Sequence, residues 1–196
     1  MYRAEAATYD ALRDLQSTSV PILFSTVRLR WLSADDRSPA HGQTFNIPGL
    51  LLESIPGVNL RRMPMILPRN TWQGICDQAV RVVHGCGDLG VLNENIRPEN
   101  FVVTTQPVRW FETQDGLAPT ERGNVTDYRV VILSLAQCRL KRKDESEAQW
   151  GREKWIQDEE GAIARVMRLR LGSTMDFKLE YKRSLRYLQW APGEGE

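Results

Sequence analysis

The sequence has little of what would mark several large function classes. Of its 196 residues only three are cysteine, Cys76, Cys86 and Cys138, with no C-x-x-C pair and an odd total. That argues against a disulfide framework or a structural zinc site, and the thiols are expected to be small buried hydrophobes of a reducing compartment. The two histidines, His41 and His84, lie far apart and fit no metal-ligand spacing, so structural or surface roles are expected. No run of about 18 apolar residues occurs, which removes a transmembrane helix. The opening MYRAEAATYDALRDL is charged where a signal peptide is apolar. An excess of one charge is also lacking: 26 Lys and Arg face 25 Asp and Glu, a net of +1, leaving no global field for nucleic acid or an anionic membrane. These absences predict a cytoplasmic chain, the nucleus left open, with neither nucleic acid nor membrane among its partners.

What is present reads as one mixed unit of helix and strand. Ala6, Tyr9, Leu12 and Leu15 recur every three residues among charges, predicting an amphipathic helix from Arg3 to Gln16. ILFSTVRLRWL follows Pro21 and is β-branched and aromatic, so it predicts a strand; PGLLLESIPG, bounded by Pro and Gly, predicts a second one. Trp72, Ile75, Cys76, Ala79, Val80 and Val83 make a core-facing helix over residues 68–84, with Asn70 as its cap and a turn through Gly85, Gly87 and Gly90. FVVTT and YRVVILSLA predict two strands joined by a long polar hairpin connection over residues 107–127. The stretch from Arg139 to Leu171 mixes both charges with Trp150, Trp155, Ile163 and Val166, predicting one or two charged amphipathic helices. RLKRK there is followed at once by DESE, which favours an ion-paired face over a nucleic-acid patch.

The order of these elements carries more than their periods do. A core helix, a Gly-rich turn, VLNENIRPEN, a strand, a hairpin and a second strand closing on small residues resemble the surroundings of a protein-kinase catalytic loop. Asn93, Asn95 and Asn100 stand at the three positions of its His-x-Asp-x-x-x-x-Asn pattern, and Ser134-Leu135-Ala136 stand where Asp-Phe-Gly is expected. Further stretches resemble a group of small kinase-like proteins abundant in filamentous fungi. EAATYDALRDLQSTSVPILFSTV resembles their helix and following strand, GLLLESIPG their hinge, and Trp150, Lys154, Trp155 and Asp158 to Gly161 their W-x-x-x-K-W-x-x-D-E-E-G signature.

The resemblance implies an α+β, protein-kinase-like fold: a truncated small lobe over residues 1–55, a mainly helical large lobe over 56–190 and a flexible tail over 191–196. It makes Glu5 the helix glutamate that pairs with a kinase lysine, and places the Gly-rich phosphate loop and that lysine ahead of Met1, since neither G-x-G-x-x-G nor V-A-x-K occurs here. Kinase chemistry is positioning plus neutralisation of charge. Asn95 keeps the shape of the base without accepting a proton, and Ser134 offers a neutral hydroxyl where a metal-binding carboxylate is expected. Asn100 is left as a weak metal candidate. Remnant nucleotide-binding candidates are Glu5, Glu53 at the hinge and Arg97 in the loop.

Each has a plainer alternative. Asn93 and Asn95 can be loop amides bonded to the backbone, Arg97 an ion-pair partner of Glu94 or Glu99, Glu5 a solvated carboxylate at a helix start, and Glu53 structural. Asp158, Glu159 and Glu160 are consecutive, cannot share a helix face, and so make a poor metal site.

The expectation is a catalytically impaired kinase-like protein, a pseudokinase, acting as an interaction or regulatory module. No cofactor is expected, and the partner is a protein or a second copy meeting the exposed edge of the strand from Pro21 to Leu32. The alternative is an ATP- and Mg²⁺-dependent phosphotransferase acting on protein Ser/Thr or a small molecule, with Asp127 or Glu121 swinging in from the hairpin connection. A third class is a non-kinase α+β binding module.

Overall fold

Trp72, Ile75, Cys76, Ala79, Val82, Val83 and Cys86 lie on one stripe of helix α2 (Trp72–Asp88), and all are buried. The computed structural model describes residues 2–32, 44–105 and 128–192, and α2 runs through the middle of the core they form. Against it pack helix α4 (Glu159–Met175), through Ile163, Met167 and Leu171, and strand β6 (Arg129–Ile132), through Val130 and Ile132. Complete burial of such side chains is worth about 1.5–3 kcal/mol each before chain entropy is counted.

α2 departs from the sequence expectation at both ends. Thr71, not Asn70, occupies its cap position, and no side chain caps it; Asn70 lies in a short 3-10 turn, Arg69–Thr71. The indole of Trp72 reaches back to the carbonyl of Leu67 at 2.9 Å and fixes the entry instead. At the other end the helix continues through Gly85 and Gly87, and the chain reverses only at Gly90, whose φ of 71° is the left-handed region glycine tolerates. Packing overrides the local cost of two helical glycines, because Leu15 lies against Gly85 and Lys154 against Gly87.

Helix α1 (Tyr2–Ala11) ends earlier than its apolar spacing predicts, and Arg13–Leu15 tighten into a 3-10 turn. The cause is Gln16. Its carboxamide donates to the carbonyl of Tyr9 at 2.8 Å and accepts from the N–H of Leu23 at 3.0 Å, closing the helix end and starting the next strand together. Tyr9 and Leu12, on the inner face, are fully buried.

Strands β1 (Leu23–Leu32) and β2 (Thr44–Leu52) pair antiparallel as a two-stranded sheet, with an irregularity between Leu23 and Ser25. β3 (Val58–Asn59), β5 (Phe101–Thr104) and β6 form a second sheet in the order β3-β5-β6, with Phe101 opposite Ile132 and Thr104 opposite Arg129. β5 is buried along its whole length, as the continuous apolar run FVVT requires. The connection predicted over 107–127, with Glu121 and Asp127, lies outside the described residues, as does His41.

A third pair, β4 (Val91–Asn93) with β7 (Cys138–Leu140), departs from the sequence expectation, which begins the charged helical segment at Arg139. That segment instead begins at Ser146, whose hydroxyl accepts from the N–H of Gln149 while the Gln149 side chain accepts from Ser146 N–H, a capping box that starts helix α3 (Glu147–Gln157). All three cysteines are buried and free, as expected.

Candidate functional site

The segment from Asn93 to Asn100 leaves the end of β4, turns, and enters β5 through the 3-10 turn Pro98–Asn100. Its polar side chains are engaged in holding it. The buried carboxamide of Asn93 accepts the N–H of Asn95 at 2.9 Å and donates to the carbonyl of Ser134 at 3.3 Å, so one side chain ties the loop to the residue that follows the β6 strand by two. Asn100 donates from its side chain to the carbonyl of Asn95 at 2.7 Å and accepts the N–H of Leu133 on its backbone at 2.7 Å. The structure thus brings Asn93, Asn95, Asn100 and Ser134 together, as the kinase resemblance requires. The bonds also favour the plain reading for Asn93, a loop amide bonded to the backbone; Asn95, given the same reading, takes part through its backbone N–H and carbonyl, and the Asn100 side chain bonds the backbone as well.

Glu5 completes this neighbourhood and corrects one expectation. It is half-buried on α1, which packs on β7, and burial raises its carboxyl above the ordinary value. Its charge in turn raises the phenol of Tyr9 and the thiol of Cys138, both already raised mainly by burial. The Tyr9 hydroxyl donates to the carbonyl of Leu133 at 3.5 Å. Glu5 is therefore half-buried, not the fully solvated helix-start carboxylate that its position suggested.

The side chains of Glu53 and Arg97 make no hydrogen bond to the amides among the described residues. The Glu53 carboxylate accepts the N–H of Ile22 at 3.0 Å while its own N–H donates to the Ile22 carbonyl at 2.9 Å, so it clamps the entrance of β1. Arg97 is exposed and makes no ion pair among the described residues. Glu99, its expected partner, bonds Arg61 at 2.7 Å and feels Arg97 only as a more distant charge.

The residues gathered here do not fit a Mg²⁺–triphosphate. Asn100 and Ser134 supply neutral oxygens, poor ligands for a hard dication without a carboxylate beside them. Among the described residues no three His, Cys, Asp or Glu side chains are grouped to hold a metal.

What sequence reasoning missed is the support beneath the loop. Lys154 of α3 and Glu159 of α4 form a buried ion pair, both side chains almost fully covered. The second Glu159 oxygen accepts the backbone N–H of Asn93 at 2.6 Å, and Lys154 also donates to the Val91 carbonyl at 3.3 Å. Burial raises the Glu159 carboxyl, with Lys154 and the Asn93 N–H opposing that shift. Gly87 makes room: a Cβ there would stand 2.9 Å from the Lys154 ammonium.

The rest of the W-x-x-x-K-W-x-x-D-E-E-G stretch is equally structural. Trp150 is buried with the Arg139 guanidinium 5.0 Å from its ring centre, and Arg183 lies 3.9 Å over Trp155. Asp158 takes a left-handed φ of 40°, caps α4 by accepting from Gly161 N–H at 3.3 Å, and pairs with Arg165 and Arg183. Glu160 bonds His84 at 2.8 Å. The three consecutive carboxylates engage three separate sets of partners, in agreement with the argument that they cannot share a face. The signal for this lay in the signature itself, but its Lys and Glu are separated by a helix break whose angle only the fold supplies.

No family model and no curated protein sequence matches the chain. Among solved structures it is similar to one of WaaP, a kinase-like protein, in complex with acyl carrier protein: 15% identity, a TM-score of 0.51 and 96% of this chain covered. The chain spans 64% of that neighbour's length. At this identity the likeness speaks to fold alone: a mixed arrangement of helix and strand with a kinase-like structural neighbour.

Proposed function

We propose that this chain is a catalytically impaired relative of the small fungal kinase-like proteins and works as an interaction or regulatory module. The observation that carries this reading is the chemistry gathered at the loop: Asn95 and Ser134 stand where phosphoryl transfer needs a carboxylate base and a metal-binding carboxylate, and the amides of Asn93 and Asn100 beside them are spent on backbone groups of the loop and of the β6 end. Asn95, at the base position, has no proton-accepting atom of useful basicity. Glu53 and Glu99 are engaged structurally, by Ile22 and Arg61.

The sheet β1–β2 supports the interaction role. Leu29, Phe45, Ile47 and Leu51 share one face and are exposed, Leu29 by 61% and Leu51 by 54%. Arg28 and Arg30 alternate onto the other face. A two-stranded sheet is marginal alone, and an apolar face of this kind is stabilised by cover. We assign that cover to a second copy meeting the first face to face, an arrangement that keeps the arginines of the two copies apart. Light scattering across a concentration series is expected to give a dimer that Ile47→Lys returns to monomer; a monomer at every concentration leaves a different protein as partner.

The catalytic half of the reading is tested by thermal unfolding with millimolar ATP, with and without Mg²⁺. A ligand at about 100 times its Kd adds about 2.7 kcal/mol to a folded state that alone binds it. No Mg²⁺-dependent shift is expected. Such a shift would return the phosphotransferase reading to first place.

A further inference from the structure

A groove of about 310 Å³ lies where the turn after α1 meets the middle of α2 and the first residues of β6, lined by Thr18, Ser19, Gln78, Arg81, Val82 and Arg129. We propose that this groove is an anion site that binds a phosphate monoester between the guanidiniums of Arg81 and Arg129.

The argument begins with Arg129. One of its terminal nitrogens donates to the carbonyl of Ser17, a residue held at a left-handed φ of 64°. That bond orients the guanidinium and leaves its Nε buried with no hydrogen-bond partner among the described residues. A buried donor without a partner costs free energy, and more so on a charged group. The carboxylate whose charge acts on Arg129 is Glu53, but that carboxylate is bonded to Ile22 N–H at 3.0 Å and makes no ion pair with Arg129. Burial accordingly lowers the pKa of this guanidinium, the direction expected of a cation short of compensation.

Arg81 stands on the other wall, exposed on α2 and without an ion pair among the described residues. Asp77, one turn before it, is engaged by Gln73 at 2.8 Å. The remaining polar lining is Thr18, Ser19 and Gln78, two hydroxyls and a carboxamide, and among the described residues it includes no carboxylate. Two forked cations with neutral donors beside them suit a tetrahedral dianion, which two guanidiniums bind through several charge-assisted hydrogen bonds. The volume accommodates a phosphate and a small attached group. That dianion is the same on a small metabolite and on a phosphorylated serine or threonine side chain.

The test is isothermal titration and thermal unfolding of the full chain without Mg²⁺, at ionic strength held constant with sodium chloride. The probes are inorganic phosphate, glycerol 3-phosphate, and a phosphoserine peptide with its unphosphorylated counterpart. Phosphate and one of the esters are expected to raise the Tm saturably, and Arg81→Glu, an exposed change that leaves the fold intact, to weaken binding at least tenfold. Arg129→Lys, which keeps the charge but not the fork, is expected to weaken it less, and Arg13→Glu on the surface not at all. A peptide that binds more tightly than glycerol 3-phosphate identifies the source as a modified side chain; the reverse order identifies a metabolite. Phosphate acting no better than chloride, or Arg81→Glu binding as the parent does, overturns the proposal. A response to ATP that needs no Mg²⁺ and vanishes in Arg81→Glu belongs to this groove and not to the loop at Asn93–Asn100.

Discussion

Glu159 accepts the backbone N–H of Asn93 at 2.6 Å while its other oxygen holds Lys154, so the first turn of α4 carries the end of β4 on a buried carboxylate. Removing one partner of such a pair leaves an uncompensated charge in the core. Lys154→Ala is therefore expected to destabilise by about 3–5 kcal/mol, whereas Lys154→Met with Glu159→Gln together, which remove both charges and keep an acceptor for the Asn93 N–H, should cost much less. Urea unfolding of Lys154→Met, of Glu159→Gln and of the double gives the coupling; losses in the double equal to the sum of the two singles would mean that the pair is not the source.

Asn93 offers a second measurement. Its carboxamide bonds Asn95 N–H and the Ser134 carbonyl, so Asn93→Ala should lose about 1–3 kcal/mol, the range for a buried polar group left without its partner. The same variant should respond to ATP and Mg²⁺ as the parent does. Unchanged urea midpoints would show that the amide is idle in the fold.

The thiols give a kinetic test. Burial pushes Cys76 and Cys86 up to about 12, and raises Cys138 further, so the reactive thiolate is scarce at neutral pH. Ellman's reagent at pH 8 is expected to leave all three unreacted in the native protein and to count three in 6 M guanidinium. Rapid native labelling of any one of them would contradict its burial.

Stability toward acid has a sign fixed by Glu145. Arg139 grips it through two bonds, at 2.9 and 3.0 Å, and this hydrogen bonding is the main cause that holds its carboxyl below the ordinary 4.5. A carboxylate with a lowered folded value contributes stability that is present above the unfolded value and is lost as pH falls through the folded one. Urea midpoints measured from pH 6 to pH 3 should therefore fall most below 4.5 in the parent protein and less steeply in Glu145→Gln. Identical slopes would remove Glu145 from the account. Glu5, raised by burial, acts in the opposite direction: its contribution is complete below the unfolded value and declines as pH rises through the folded one.

Much of this was written locally. The stripe from Trp72 to Cys86 gives α2 because a period of 3.6 places those side chains on one face, and FVVT gives a strand covered on both sides for the parallel reason. Asn93, Asn95, Asn100 and Ser134 were recognisable because the spacing of a loop between two strands survives changes of residue type. The resemblance carried by those positions led to the kinase-like fold that the solved neighbour supports. Where periodicity ran out, as at Cys138–Leu140, three residues of strand were too short to stand out against the charged segment that follows them.

The sequence alone therefore determined which segments bury a face, the free state of three cysteines, and the neutral chemistry of the loop, since each depends on residue type and short-range spacing. Tertiary structure decided the rest: that Lys154 meets Glu159 across a helix break, that Glu5 is half-buried, that Gly85 and Gly87 remain helical, and that Arg81 and Arg129 converge on one groove from residues 48 positions apart. Burial, desolvation and the pairing of distant charges are properties of three-dimensional proximity, and no local pattern in the chain encodes them.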